Sequence, residues 1–93
     1  MTIGEFAEAL AQYCGLHGGS ITSWGRTTIR NKMVGGVQYS AHRFFRGADV
    51  VYDDLTTLGA DPAGRKEDAR RLGLLLIAEG DHDHLQPLDW TRG

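Results

Sequence analysis

Imidazole and carboxylate are the side chains from which this chain could build a metal site. It has four histidines. Three of them, His42, His82 and His84, stand near carboxylates in segments that should end at strand edges, while His17 lies apart from them. A catalytic zinc ion takes three protein ligands, drawn from imidazole and carboxylate, at about 2.0 to 2.2 Å and leaves a fourth position for water. His42 and Asp49 flank Arg43-Phe44-Phe45-Arg46-Gly47-Ala48, so a loop folding back can set His42 beside the first turn of a Val50-Val51 strand. His82 and His84 share one face of a strand, because strand side chains alternate with period two. Taken alone, each pattern also fits ordinary surface residues. The single cysteine, Cys14, excludes an intramolecular disulfide and a thiolate zinc site. Any metal is therefore held by histidine and carboxylate.

The elements that must position these groups follow from periodicity and punctuation. Phe6, Ala9, Leu10, Tyr13 and Cys14 recur at helical spacing from Glu5 to Leu16, and Gly15, Gly18 and Gly19 stop that helix. Ile21-Thr22-Ser23-Trp24 reads as a strand, and Thr27 or Thr28 could cap a short helix through Met33 that Gly35-Gly36 ends. Ala48-Asp49-Val50-Val51-Tyr52 is a second strand, followed by a loop around Gly59-Ala60-Asp61-Pro62. A helix from about Ala63 to Leu72 carries Arg65, Lys66, Glu67, Asp68 and Arg70 as its solvated face. Leu74-Leu75-Leu76-Ile77-Ala78-Glu79 has no polar face and suits a buried strand or the end of that helix. The strand is favoured, because Glu79-Gly80-Asp81 reads as a tight turn and His82-Asp83-His84-Leu85-Gln86 as a returning strand that Pro87 ends. The result is an α+β domain with a small, mainly antiparallel sheet and helices packed on one side.

Composition narrows the function classes. With 93 residues, 41% hydrophobic and 24% charged, the chain should form a single domain, residues 1–93. A net charge of -2 gives no electrostatic footprint for nucleic acid or an anionic membrane. The run Leu74 to Ala78 is too short to span a bilayer, and Met1-Thr2-Ile3-Gly4-Glu5 lacks the features of a signal peptide, so synthesis in the cytoplasm is expected.

Several motifs together carry a resemblance. Ser40-Ala41-His42, followed by Gly47-Ala48-Asp49, is similar to the Ser-x-His-(six residues)-Asp signature of the zinc D-Ala-D-Ala carboxypeptidase and dipeptidase family. That family includes phage peptidoglycan endopeptidases and shares its fold with the hedgehog signalling domain. Ile21-Thr22-Ser23-Trp24-Gly25-Arg26-Thr27 and Asn31-Lys32-Met33-Val34-Gly35-Gly36 resemble the family's Ser-Gly-Tyr-Arg strand end and its lead-in to the first zinc ligand. Ala69-Arg70-Arg71-Leu72-Gly73-Leu74 and Glu79-Gly80-Asp81-His82-Asp83-His84-Leu85-Gln86 resemble its helix, hairpin and second-ligand segment. The likeness runs from about Ser20 to Gln86. Phe45 replaces a glycine of the commoner signature and Gly47 an alanine. The family's Glu-x-Trp-His ending is absent, which makes the endopeptidase branch the nearer comparison.

The resemblance implies a hedgehog/DD-peptidase-like zinc fold, one Zn2+ held by His42, Asp49 and His84, and a substrate bound through Arg26 and Ser40. It places the general base at Asp81, with Glu79 as the alternative, and gives His82 a hydrogen bond to the oxyanion. The implied reaction is hydrolysis of a peptide bond in the peptidoglycan stem or cross-bridge, or of a D-Ala-D-Ala end, by a monomer acting on the cell wall. A phage lysis or tail component would reach the wall without a signal peptide. The rival is a non-catalytic zinc-containing module that binds cell-wall peptide or a protein partner. A zinc-free structural protein is the third reading.

Each of these residues also has a structural explanation. Arg26 could be a solvated helix-start arginine, Ser40 a turn residue, and Asp81 simply the residue a hairpin wants. Trp24 and Trp90 are expected to pack in the core or at its edge. Phe44 and Phe45 either wall a cleft or fill the core. Asp83 is expected to face solvent, His17 to meet the last carbonyls of its helix, and Cys14 to behave as a small buried hydrophobe.

Overall fold

A computed structural model describes residues 1–24 and 47–88. The expected helix through Met33, and with it Arg26, Ser40, His42, Phe44, Phe45 and Trp90, lies outside the described residues.

Helix α1 spans Ile3–His17 and begins earlier than the apolar stripe suggests, because Thr2 and Glu5 form a capping box. The Glu5 N–H donates to Thr2 Oγ1 at 3.1 Å, and the Thr2 N–H donates to Glu5 Oε1 at 2.7 Å. Two of the N–H groups that a helix start leaves unpaired are satisfied in this way. Gly18 ends the helix in the left-handed region, its N–H donating to the Cys14 carbonyl. Strands β1 (Gly19–Trp24) and β2 (Ala48–Tyr52) precede helix α2 (Ala63–Arg71), then β3 (Leu74–Ala78) and β4 (Asp83–Pro87). A 3-10 turn at Thr57–Gly59 occupies part of the expected loop.

Among the described residues the strands form one sheet, in the order β1-β2-β4-β3, with every pairing antiparallel. Alternation divides its faces. Ala48, Val50 and Tyr52 of β2, Leu74 and Leu76 of β3 and Leu85 of β4 are buried in one cluster with Phe6, Leu10 and Tyr13 of α1 and Ala69 of α2. Both helices thus cover the same face, as the α+β expectation requires. Full burial of a side chain such as Phe6, Leu10 or Leu74 contributes about 1.5 to 3 kcal/mol relative to leaving it exposed. Trp24 packs on the rim of this core, edge-on to Phe6 with ring centroids 5.8 Å apart. Cys14 is only partly buried, and burial pushes its thiol pKa up.

Four local expectations need correction. Pro87 does not end the pairing: it lies opposite Leu74, and the Leu88 N–H donates to the Gly73 carbonyl beyond it. Since Leu88 points its N–H toward β3, Pro87 points its nitrogen the other way, beyond the last β2–β4 pair among the described residues, at Leu85. His17 reaches sideways instead of to its own carbonyls. Its Nε2 lies 3.0 Å from Asp68 Oδ2 on α2 and its ring 4.6 Å from the Tyr13 ring, while Gly18 already closes the helix end.

Arg65 and Asp83, both expected in solvent, are buried together. Asp83 is 0% exposed and Arg65 6%. Asp83 shares parity with Leu85 and Pro87 and so faces the core. Arg65 sits four residues before Ala69, on the one face of α2 that packs inward. Arg65 Nε donates to Asp83 Oδ2 at 2.7 Å, one terminal nitrogen to Asp83 Oδ1 at 3.2 Å, and the other to the Thr57 carbonyl at 2.7 Å. The Tyr52 hydroxyl donates to Asp83 Oδ2 at 2.6 Å. Its proton being committed there, Tyr13 donates the 2.7 Å bond that joins the two hydroxyls.

Burial pushes the Tyr13 hydroxyl up to about 12. Burial, helped by the bond to Asp83, lifts Tyr52 beyond the ordinary tyrosine range. The folded state therefore holds these protons more tightly than the unfolded chain, in which they leave near pH ~10. Their contribution to stability is complete below pH about 10 and falls as pH rises above that, the part due to Tyr13 being lost through about 12. In a spectrophotometric titration, Tyr13 and Tyr52 are expected to ionise only together with the loss of near-ultraviolet dichroism. Ionisation of all three tyrosines near pH ~10 in a still-folded protein would show that this network is open in solution.

Candidate metal and hydrolytic site

On the opposite face of the sheet, β2 and β4 bring Asp49 and His84 into direct register. His84 Nδ1 lies 3.2 Å from Asp49 Oδ1. On the far side of the ring, His84 Nε2 lies 3.0 Å from Gln86 Oε1, two residues along the same strand and therefore on the same face. Gly47 makes room for this ring at the entrance to β2. A Cβ there would come within 3.1 Å of His84 Cε1, so the ring could not keep its place beside an alanine without shifting.

His82, just before β4, approaches the same carboxylate. Its Nε2 is 3.7 Å from Asp49 Oδ1, and its Nδ1 is 2.6 Å from Asp81 Oδ1. The turn that carries Asp81 is closed by the Glu79 N–H donating to the His82 carbonyl, and Gly80 turns it with φ of 100°. That backbone conformation suits glycine. Burial alone would lower the pKa of His82. The bond to Asp81 and the charges of Asp49, Asp81 and Glu79 outweigh it, and the net shift is upward. Asp81 moves down in turn, chiefly through its bond to His82.

Asp49 is thus bracketed by two ring nitrogens. Each ring also meets an oxygen on its other side, Gln86 Oε1 for His84 and Asp81 Oδ1 for His82. If Gln86 accepts the His84 Nε2 proton, Nδ1 presents a lone pair to a carboxylate oxygen. Two acceptors at 3.2 Å need a cation between them, either a proton or a metal ion. Two ligands about 2.0 to 2.2 Å from one tetrahedral zinc ion stand roughly 3.3 to 3.6 Å apart. The observed separation is close to that, and an imidazole whose second nitrogen is hydrogen-bonded is the usual form of a zinc ligand. The donor set therefore fits zinc as far as two ligands go.

Of the sequence-derived site, the structure brings together Asp49, His82 and His84, and puts Asp81 at the rim with its side chain 90% exposed. The Glu79 carboxylate acts on His82 through its charge. His42, Arg26 and Ser40 lie outside the described residues. Among the described residues, no group of three or more His, Cys, Asp or Glu side chains is placed to hold a metal ion. Gln86 was not among the candidates, although its parity with His84 was a usable signal. Ser23 lies opposite Asp49 after a bulge at Thr22, whose hydroxyl donates to the Asp49 carbonyl at 3.4 Å.

None of the helices among the described residues is long and apolar enough to cross a membrane. No protein-family model, curated protein or solved structure matches the chain. The functional reading therefore stands on its residues.

Proposed function

We propose that the chain is a zinc-dependent peptidase that hydrolyses a peptide bond of bacterial peptidoglycan, with Asp49, His84 and His42 as ligands of one Zn2+. The observation that supports this reading is the contact between Asp49 and His84. Residues far apart in sequence become cross-strand neighbours, with a carboxylate and an imidazole nitrogen 3.2 Å apart. Bound zinc would supply Lewis acidity, bringing the pKa of its water toward about 7 and polarising the scissile carbonyl.

The remaining chemistry belongs to the chain. Gln86 holds the His84 ring in orientation, and Gly47 leaves that ring its space. Asp81 keeps Oδ1 on His82, so its Oδ2 is the oxygen that accepts the proton of the attacking water and returns it to the leaving amine. What favours Asp81 over Glu79 for this task is position, since its hydrogen bond to His82 holds it beside the site, although the same bond lowers its pKa. His82 donates toward the developing oxyanion, while Arg26 and Ser40 hold the substrate's carboxylate and carbonyl groups. A guanidinium is suited to the carboxylate because it can bind both oxygens at once.

The test is to incubate purified peptidoglycan with zinc-loaded protein and analyse the products by mass spectrometry. New stem-peptide or cross-bridge fragments are expected with the wild type and not with His42→Ala. If the protein holds zinc and binds peptidoglycan yet releases no fragment, the peptidase reading fails and the non-catalytic module replaces it.

A further inference from the structure

The segment His82-Asp83-His84 repeats imidazole with period two, and that creates an ambiguity that the apolar pattern does not remove. In the observed register Asp49 faces His84, Ala48 faces Leu85 and Val50 faces Asp83. A slip of β4 by one residue would turn both imidazoles into the core, which hydrophobic burial opposes. A slip by two keeps every side chain on its own face and places His82 opposite Asp49 instead of His84. Against that slip the strand offers little apolar information, since its core-facing positions are Asp83, Leu85 and Pro87.

The buried polar cluster on the other face distinguishes the two registers. Arg65 grips both oxygens of Asp83, and Tyr52 of β2 donates to one of them. A two-residue slip would carry that carboxylate along the strand by roughly 6 to 7 Å, at about 3.3 Å per residue. It would leave the Arg65 guanidinium, 6% exposed, without its partner. Tyr52 belongs to β2 and Arg65 to α2, so the carboxylate is fixed relative to both the neighbouring strand and the covering helix. Buried ion pairs are poor sources of net stability, and fixing register is their best-attested use.

We infer that Arg65 and Asp83, with Tyr52, form a positioning device that selects His84 over His82 as the imidazole opposite Asp49. The cluster works from the side of the sheet away from Asp49 and His84. This selection concerns strand register and holds whether or not the site binds zinc, so its failure is distinguishable from failure of the peptidase reading.

The test is nuclear magnetic resonance of the metal-free protein. Wild type is expected to give cross-strand backbone Overhauser contacts joining residues 48 to 85 and 49 to 84, and one set of histidine ring signals. The double variant Arg65→Met with Asp83→Leu replaces the ion pair by apolar groups of similar volume. It is expected to fold and to show a second set of contacts, joining 49 to 82, with doubled signals for His82 and His84. A single, unchanged set in the folded double variant overturns the inference. Should that variant not fold, Arg65→Lys carries the test, since it keeps the charge but loses the two-point grip. A second register in its spectra supports the inference, and one unchanged set overturns it. Failure of both variants to fold also counts against it, because a device that selects register without adding net stability is dispensable for folding.

Discussion

Replacing Asp83 by alanine is expected to lower the free energy of unfolding by about 3 to 5 kcal/mol, the usual cost of stranding one partner of a buried ion pair. For a chain of 93 residues the total is about 5 to 14 kcal/mol, so this single change removes a large share. Three separate donors lose their acceptor: the Arg65 Nε, one Arg65 terminal nitrogen and the Tyr52 hydroxyl. The guanidinium cannot discharge, because it stays protonated in any protein setting. Thermal denaturation should fall by roughly 12 °C or more, at about 4 to 8 °C per kcal/mol for a domain this size. The Arg65→Met, Asp83→Leu pair should lie close to wild type in the same scan, since nothing charged is left behind. A loss below about 1 kcal/mol for Asp83→Ala, the level typical of exposed pairs, would mean that the carboxylate is solvated in solution.

Zinc is expected to have an effect of similar size in the opposite direction. At free metal 100 to 1,000 times the dissociation constant, binding to the folded state alone adds about 2.7 to 4.1 kcal/mol. The melting temperature should then rise by about 10 °C or more, and a chelator should reverse the gain. His84→Ala and Asp49→Ala should fold and show none of this shift, because each removes one half of the cross-strand pair. A wild-type melting curve indifferent to zinc and chelator would remove the metal from the proposal. A shift of full size in His84→Ala would move the ligand role to His82.

Most of the sheet was legible because alternation and turn chemistry agree there: Ala48 to Tyr52 was read at its observed bounds, and Leu74 to Ala78 emerged as a strand once Gly80 was taken as a turn. The neighbourhood of Asp49, His82 and His84 was legible only in outline. Sharing a face follows from period two, whereas the pairing of Asp49 with His84 depends on which strands become neighbours. β4 inserts between β2 and β3, and no local spacing encodes that order. Asp83 was misjudged for a different reason. Its charge suggests solvent, whereas its parity with Leu85 puts it on the buried face. Arg65 was hidden among charged neighbours on α2, and its only distinguishing mark is its place one turn before Ala69. The capping box at Thr2 and Glu5 was visible in the sequence and marks the true start of α1.

The position of β3 has a consequence for handling the protein. Among the described strands it lies at the edge of the sheet; its residues, Leu74-Leu75-Leu76-Ile77-Ala78, carry no charge, and Leu75 and Ile77 are 40% and 39% exposed. Among the described strands its only hydrogen-bonded neighbour is β4. Whatever releases β4 therefore uncovers the β4-facing edge of a short, uncharged, apolar strand, which is the kind of segment that templates intermolecular pairing. Molecules that open this ladder can be captured by one another before they close again. The shelf life of a concentrated preparation is then set by how often that strand opens and by protein concentration, and not by the equilibrium between folded and unfolded chains.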